Sequence, residues 1–377
     1  MNRRHAVITG SLHNGNLGDY ALLKAFVGQH KNTYKKLTLI GPDSQNLLDV
    51  EHTIFPQQPM AIGYRFWKGY KERTKTRRMI VQEMPDAMRH YIWLGGILGS
   101  NIYHNRGRYK ELNWASSFCN TLIYYFGDVE PGFNSLTEAT KLAKKMNRCN
   151  RWIAVRSNEA ANLLVDAGLR SKINVGIDPA LYDRCKRWGI PFTRYKKDAN
   201  ILAIVVCKSP EQKCLGIWKA AALSAIKLGI KIRWVSLCDS EDLGLCQQLF
   251  REFSDQHPNH PMDIVSGMNG ESGIAEASIC VSTRFHGTIF GLTAGVPTIA
   301  IPYGAKIKRL FEFLNLEDWV ANPISTDQNN VDWNSIIHEM ITSVIQGRWQ
   351  PDYRRLNAGI KAHQKALYDL ELSISDL

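Results

Sequence analysis

The sequence has no long hydrophobic run: its longest apolar stretches, Ile201–Cys207 and Val296–Pro302, fall far short of the ~20 residues needed to cross a bilayer. No Cys-x-x-Cys pair occurs among its eight cysteines, which argues against a disulfide scaffold and a zinc site. Neither Gly-x-Gly-x-x-Gly nor a Walker pattern is present, and neither NAD nor ATP follows. A zinc finger, an RNP-type motif and an Arg-rich tail are all missing, so nucleic acid is not an expected partner. There is no low-complexity tract and no short-period repeat. The start, Met1–His5, is positively charged but leads into the short apolar stretch Ala6–Thr9, too little for a signal peptide. A cytoplasmic location is the expectation. Acidic residues are comparatively scarce, 35 against 47 Lys and Arg, and the net charge is +12. Such a surplus favours anionic partners, with a phosphorylated or anionic substrate as the leading reading.

What is present is ordinary globular composition, 44% hydrophobic and 22% charged, over a length of 377 residues that reads as two domains. Short β-branched apolar runs alternate with amphipathic helices. Strands are expected at Ala6–Gly10, Leu37–Gly41, Tyr91–Gly95, Trp152–Arg156 and Ile173–Ile177, with helices at Asp19–His30 and Asn158–Ala167. After Asp183–Asn200, a Lys-, Arg- and Tyr-rich stretch read as a linker, the pattern restarts with strands at Ile201–Cys207, Lys231–Cys238, Met262–Ser266, Ile279–Phe285 and Pro297–Tyr303. The alternation predicts an α/β fold: two Rossmann-like domains facing a cleft, each a parallel sheet covered by helices on both faces. The expected boundaries are 1–190, 191–350 and a C-terminal helical segment 351–377.

Two junctions carry candidate chemistry. The loop His13-Asn14-Gly15-Asn16-Leu17-Gly18-Asp19 joins the first strand to the first helix. Its glycines allow close backbone approach, Asp19 is a natural N-cap, and free N–H groups at a helix start suit an anion or a sugar hydroxyl. A tight turn with its cap accounts for the same letters. The second junction is Ser282-Thr283-Arg284-Phe285-His286. Period-two alternation puts Ser282, Arg284 and His286 on one side at the carboxyl end of a strand, where open α/β sheets bind ligands. Arg284 offers a fork for carboxylate or phosphate, and His286 a proton donor or acceptor near neutral pH. One helix–strand unit later, Lys306 returns to the same rim. Arg156, at the end of a strand in the first half, is a candidate for the opposite wall.

In order and spacing these pieces resemble the polysaccharide pyruvyl transferase family over most of the chain. The resemblance rests on Asn16-Leu17-Gly18-Asp19, Gly95-Gly96, Ala154-Val155-Arg156-Ser157 and Val175-Gly176-Ile177-Asp178-Pro179-Ala180-Leu181. It continues through Ser282–His286, Ala294-Gly295-Val296-Pro297, Ile301-Pro302-Tyr303 and Lys306. It implies a glycosyltransferase-B-like fold and transfer of the carboxyvinyl part of phosphoenolpyruvate onto two hydroxyls of a sugar, giving a cyclic pyruvate ketal and phosphate. Carried over, it makes Arg156, Arg284 and Lys306 donor-binding and His286 and Asp19 catalytic. It places Asn14, Asn16 and Tyr20 on the acceptor side and implies no cofactor and no metal. Tyr20 stands where the family commonly has Glu, Asn101 where it often has Asp, and Phe285 where it usually has Leu.

Two other readings stay open at this point: a sugar-nucleotide-dependent glycosyltransferase of the same fold, and a non-catalytic glycan-binding relative. A basic aromatic segment, Arg65–Arg78, suits peripheral contact with the inner face of a membrane or a lipid-linked acceptor, or a solvated helix face with its aromatics packed inward.

Overall fold

The computed structural model describes residues 4–10, 16–30, 32–40, 53–54, 74, 77–78, 80–82, 88–189, 200–323 and 331–375. The chain divides into two units: Met1–Asn14, Asp19–Tyr182 and Ala358–Leu377 form the first, Gly15–Gly18 and Asp183–Asn357 the second. Asn14 and most of Arg65–Arg78 lie outside the described residues.

The first half of the chain runs β1 (Arg4–Gly10), α1 (Leu17–His30), β2 (Lys36–Ile40), β3 (Thr53–Ile54), β4 (Met88–Leu94), β5 (Ile97–Leu98), α2 (Ile102–Ala115), β6 (Thr121–Val129), α3 (Thr137–Cys149), β7 (Asn150–Val155), α4 (Asn158–Asp166), β8 (Ile173–Val175) and α5 (Pro179–Trp188). The rest runs β9 (Ile201–Val205), α6 (Glu211–Lys227), β10 (Lys231–Val235), α7 (Asp239–Gln256), β11 (Met262–Val265), α8 (Gly270–Ala275), β12 (Ile279–Ser282), α9 (Phe285–Thr293), β13 (Thr298–Ala300), α10 (Ala305–Leu314), α11 (Trp333–Ile345) and α12 (Tyr353–Ser375).

All ladders between these strands are parallel. The first sheet is ordered β3-β2-β1-β4-β6-β7-β8 with β5 added to β6, and the second β11-β10-β9-β12-β13. A parallel strand with helices on both faces must be apolar on both, and β6 shows it: all nine of its residues are buried. The order reverses between β1 and β4 in the first sheet and between β9 and β12 in the second. At such points the loops leave in opposite directions and open a crevice beyond the strand ends.

Three expectations are corrected here. Asp183–Trp188 is helical, the second half of α5, rather than the start of an irregular linker. Asp178 caps that helix by accepting from Ala180 N at 2.8 Å, and Leu181, Tyr182 and Cys185 bury its inner face. Arg184, buried on the same helix, breaks the apolar pattern by which a helix is recognised. Second, α1 starts at Leu17. Asp19 is therefore its third residue and not its cap; Asn16 precedes the helix and accepts from Gly18 N at 3.0 Å. Third, β12 stops at Ser282, and Arg284 is the extended residue that precedes α9. Ser282 Oγ donates to the Arg284 carbonyl at 2.9 Å, so the chain turns there and strand alternation does not reach His286.

Candidate functional site

In the second unit the strand ends on either side of the reversal are tied together. Thr283 N donates to Val205 O at 3.0 Å and Ile301 N to Ser282 O at 2.8 Å. Trp218, fully buried on α6, donates its indole N–H to Thr283 Oγ1 at 2.7 Å and fixes the β12–α9 turn from behind. Arg284 and His286 emerge from this braced turn.

The guanidinium of Arg284 does not stand open. Its Nε donates to Asp242 Oδ2 at 2.8 Å and its Nη2 to Asp242 Oδ1 at 2.6 Å, a bidentate fork, and Nη2 also reaches Glu241 Oε2 at 2.6 Å. Asp242 is fully buried; its Oδ1 also accepts from Lys208 N at 3.0 Å. Burial works against the charge on Arg284, but its hydrogen bonds to Asp242 outweigh that and raise its pKa further. Around this pair, Cys207 is pushed up to about 11, chiefly by burial, and Tyr303, which hydrogen-bonds Cys207, is raised well beyond the usual phenol range by its own burial. Neither group ionises near neutrality. The sequence reading gave Arg284 a free fork for an anion; the structure gives that fork to Asp242.

His286, the second residue of α9, is half-buried and lies against Gly18. A Cβ on Gly18 would fall 2.1 Å from His286 Nδ1, so residue 18 must be glycine for the imidazole to sit where it does. Leu17 N donates to Leu237 O at 2.8 Å, and Asn16 bridges Cys238. These contacts dock Asn16–Gly18 on the end of β10 beside the histidine. Lys306, second residue of α10, carries its ammonium over the Phe285 ring at 5.3 Å from the centroid. The structure thus brings Gly18, Phe285, His286 and Lys306 together in one unit, with the Arg284–Asp242 pair at the foot of the same turn.

In the first unit, Arg156 follows β7. It is held by a 3.0 Å ion pair from Nη1 to Asp178 Oδ2 and a 2.8 Å hydrogen bond from Nε to Phe126 O. Side-chain exposure is 9% for Arg156 and 2% for Asp178, so the charge is committed to this pair in a dry setting. Gly95, at φ +56°, packs under the guanidinium: a Cβ there would lie 3.0 Å from Arg156 Nη2. Asp19 and Tyr20 are half-buried on the first turns of α1.

The arrangement contains residues that the sequence did not single out. Asp242 and Glu241 stand among the acidic residues of the first turn of α7, where carboxylates favour any helix start, and nothing in the sequence says that they serve Arg284. Phe126 lies in a strand, and its carbonyl leaves no trace in the side-chain pattern. Asp178 was visible only as part of a motif.

Among the described residues no cluster of His, Cys, Asp and Glu could hold a metal ion, and no helix is long and apolar enough to cross a membrane. No curated protein matches the chain. Solved structures do match along its whole length. HepE of Anabaena, solved with UDP and glucose, has TM-score 0.60 at 12% identity and covers 100% of both chains. A UGT transferase of Siraitia grosvenorii, solved with UDP, has TM-score 0.58 at 10% identity, covering 99% of this chain and 100% of its own. The α,α-trehalose 6-phosphate synthase of Burkholderia multivorans has TM-score 0.55 at 9% identity, covering 100% and 99%. The chain has the glycosyltransferase-B fold of these proteins. Residues 16–304 match the model of polysaccharide pyruvyl transferases, a span that opens on the Asn16–Gly18 segment and closes just past Tyr303. On that match, which takes in most of the chain, the protein belongs to the polysaccharide pyruvyl transferase family.

Proposed function

We propose that this protein transfers pyruvate from phosphoenolpyruvate to a saccharide of a surface polysaccharide or its precursor, forming a cyclic ketal and releasing phosphate. The observation that carries the reading is the contact of His286 with Gly18. It joins two segments that the family match spans, and Lys306, two residues past the end of that match, stands over Phe285.

Phosphoenolpyruvate bears a phosphate and a carboxylate, and fixed cations stabilise both the ligand and the charge that develops as phosphate leaves. Lys306 supplies an ammonium at the start of α10, where the helix end adds positive potential. Arg284, its charge balanced by Asp242 and Glu241, holds the strand tip from which His286 emerges. Arg156 is a further donor-binding residue of this proposal. His286 delivers a proton to the methylene carbon, so C2 becomes oxocarbenium-like and a sugar hydroxyl adds there. The hydroxyl's proton passes to Asp19, one residue beyond Gly18. Loss of phosphate, which carries a proton away, re-forms the electrophile, and the second hydroxyl closes the ring with loss of its own proton. Asn14, Asn16 and Tyr20 are the acceptor-side residues of this proposal.

The test is incubation of the purified protein with phosphoenolpyruvate and a panel of saccharide acceptors, with free phosphate and product masses measured. Acceptor-dependent phosphate release with an equimolar pyruvate ketal supports the reading. Turnover of a sugar nucleotide, with phosphoenolpyruvate left intact, would replace it with glycosyl transfer.

A further inference from the structure

Arg156 is held at two atoms, by the carbonyl of Phe126 and the carboxylate of Asp178, and both holders lead to one side chain far away in sequence. His363, fully buried on α12, stacks on the Phe126 ring at 3.8 Å between centroids and 12° between planes. Its other face stacks on Tyr182 at 4.2 Å and 19°. Its Nδ1 donates to the carbonyl of Ile177, the residue before Asp178, at 3.0 Å. Gly176 completes the seat: a Cβ there would lie 2.6 Å from the Phe126 ring and 3.0 Å from His363 Nδ1. Phe126 itself has φ +45°, a left-handed conformation that a bulky residue adopts only when its surroundings impose it.

We propose that His363 is a positioning residue for Arg156: wedged between Phe126 and Tyr182 and bonded to Ile177 O, it fixes the carbonyl and the carboxylate that aim the guanidinium. The role in turnover rests on the proposed function, in which Arg156 meets the anionic donor; the positioning itself does not. Every partner named lies in the first unit. Neither clamp is redundant with the other, since the ring holds Phe126 through stacking and Ile177 through a hydrogen bond. Burial keeps the imidazole neutral, its pKa pushed down to about 3, so it adds no second positive charge beside Arg156.

The experiment uses full-length protein labelled with ¹⁵N-arginine, in which the Nε–H signals of Arg156 and Arg284 are assigned from R156K and R284K. Both are hydrogen-bonded in the structure, Arg156 to Phe126 O and Arg284 to Asp242. His363→Phe keeps a stacking ring and loses the bond to Ile177; His363→Asn keeps an N–H near that carbonyl and loses the stack. The expected result is a shifted or fast-exchanging Arg156 signal in both variants, with Arg284 unchanged as the internal control of folding. An Arg156 signal identical to wild type in both variants overturns the proposal. A second readout is titration of phosphoenolpyruvate, for which H363F should bind roughly fivefold more weakly, the size of one lost buried hydrogen bond. If wild type does not bind phosphoenolpyruvate, the functional reading fails while the arginine signals still decide the positioning.

Discussion

Each unit buries an arginine against an aspartate at the end of a sheet, and the two are secured by different means. Arg284 is gripped by carboxylates from the first turn of a neighbouring helix, Asp242 on two atoms and Glu241 on one. Arg156 has an ion pair to Asp178 and a hydrogen bond to a backbone carbonyl, and its holders are locked by aromatic stacking on the last helix. The first arrangement fixes a charge and uses up the fork. The second fixes an orientation and depends on distant packing. A cationic residue at a strand tip is therefore not one kind of object. Arg284 is fixed by two carboxylates at the turn that leads to His286, while the geometry of Arg156 is set residue by residue in the first unit.

The sharpest way to break the comparison is to remove each aspartate. Asp178→Ala strands a buried guanidinium and uncaps α5, and should cost about 5 kcal/mol in urea unfolding. Asp242→Ala should cost less, about 3 kcal/mol, because Glu241 remains on Arg284 Nη2. Equal losses would mean that the two clamps are equivalent after all.

His286→Ala leaves both clamps in place and removes the proposed proton donor. Turnover of phosphoenolpyruvate should drop about 10³-fold, within the range of general acid catalysis, with the unfolding midpoint unchanged. A variant at near wild-type rate would remove His286 from the mechanism.

Gly18→Ala sharpens the second unit's side. The new methyl must displace the imidazole and should lower turnover about 10²-fold, with a stability loss of roughly 1–3 kcal/mol. Gly304→Ala, where a Cβ would meet nothing within 4 Å, is the control and should leave turnover within about twofold of wild type.

Acid should separate the units. The first unit buries His30 and His90, each lowered to about 4, and His363, lowered to about 3, all chiefly by burial. The unfolded chain takes up these protons near pH 6.5 and the folded first unit does not. Stability from this source is complete above pH 6.5 and falls as the pH drops from there toward 3, by on the order of 1 kcal/mol per histidine per pH unit. Urea midpoints at pH 7 and pH 5, read by a probe in each unit, should show the first unit weakening more. A first-unit midpoint that stays flat over that interval would mean that these rings are not held neutral.

Much of the fold was legible because parallel strands are apolar runs and the helices between them keep one apolar face. Ile201–Val205, Lys231–Val235 and Met262–Val265 were read within three residues at each end for that reason. The stretch between β4 and β7 was not read. In α2 the inward positions include Asn105, Arg108 and Glu111, with Glu111 accepting from Thr9 Oγ1 at 2.8 Å and from Arg108 at 2.9 Å, so no apolar stripe marks the helix. Among the candidate residues, the order of short motifs singled out Arg156 in the first unit and Arg284, His286 and Lys306 in the second. What the motifs could not supply was the set of partners. Asp242 meets Arg284 across 42 positions and His363 meets Ile177 across 186, and a local pattern carries no information over such separations.

The most direct test of the account is to run the reaction in D₂O and weigh the saccharide product. Protonation of the phosphoenolpyruvate methylene by His286 predicts a ketal whose methyl group carries one solvent-derived deuterium, formed together with one phosphate. A ketal methyl without deuterium, or phosphoenolpyruvate recovered unchanged beside every acceptor, would contradict it.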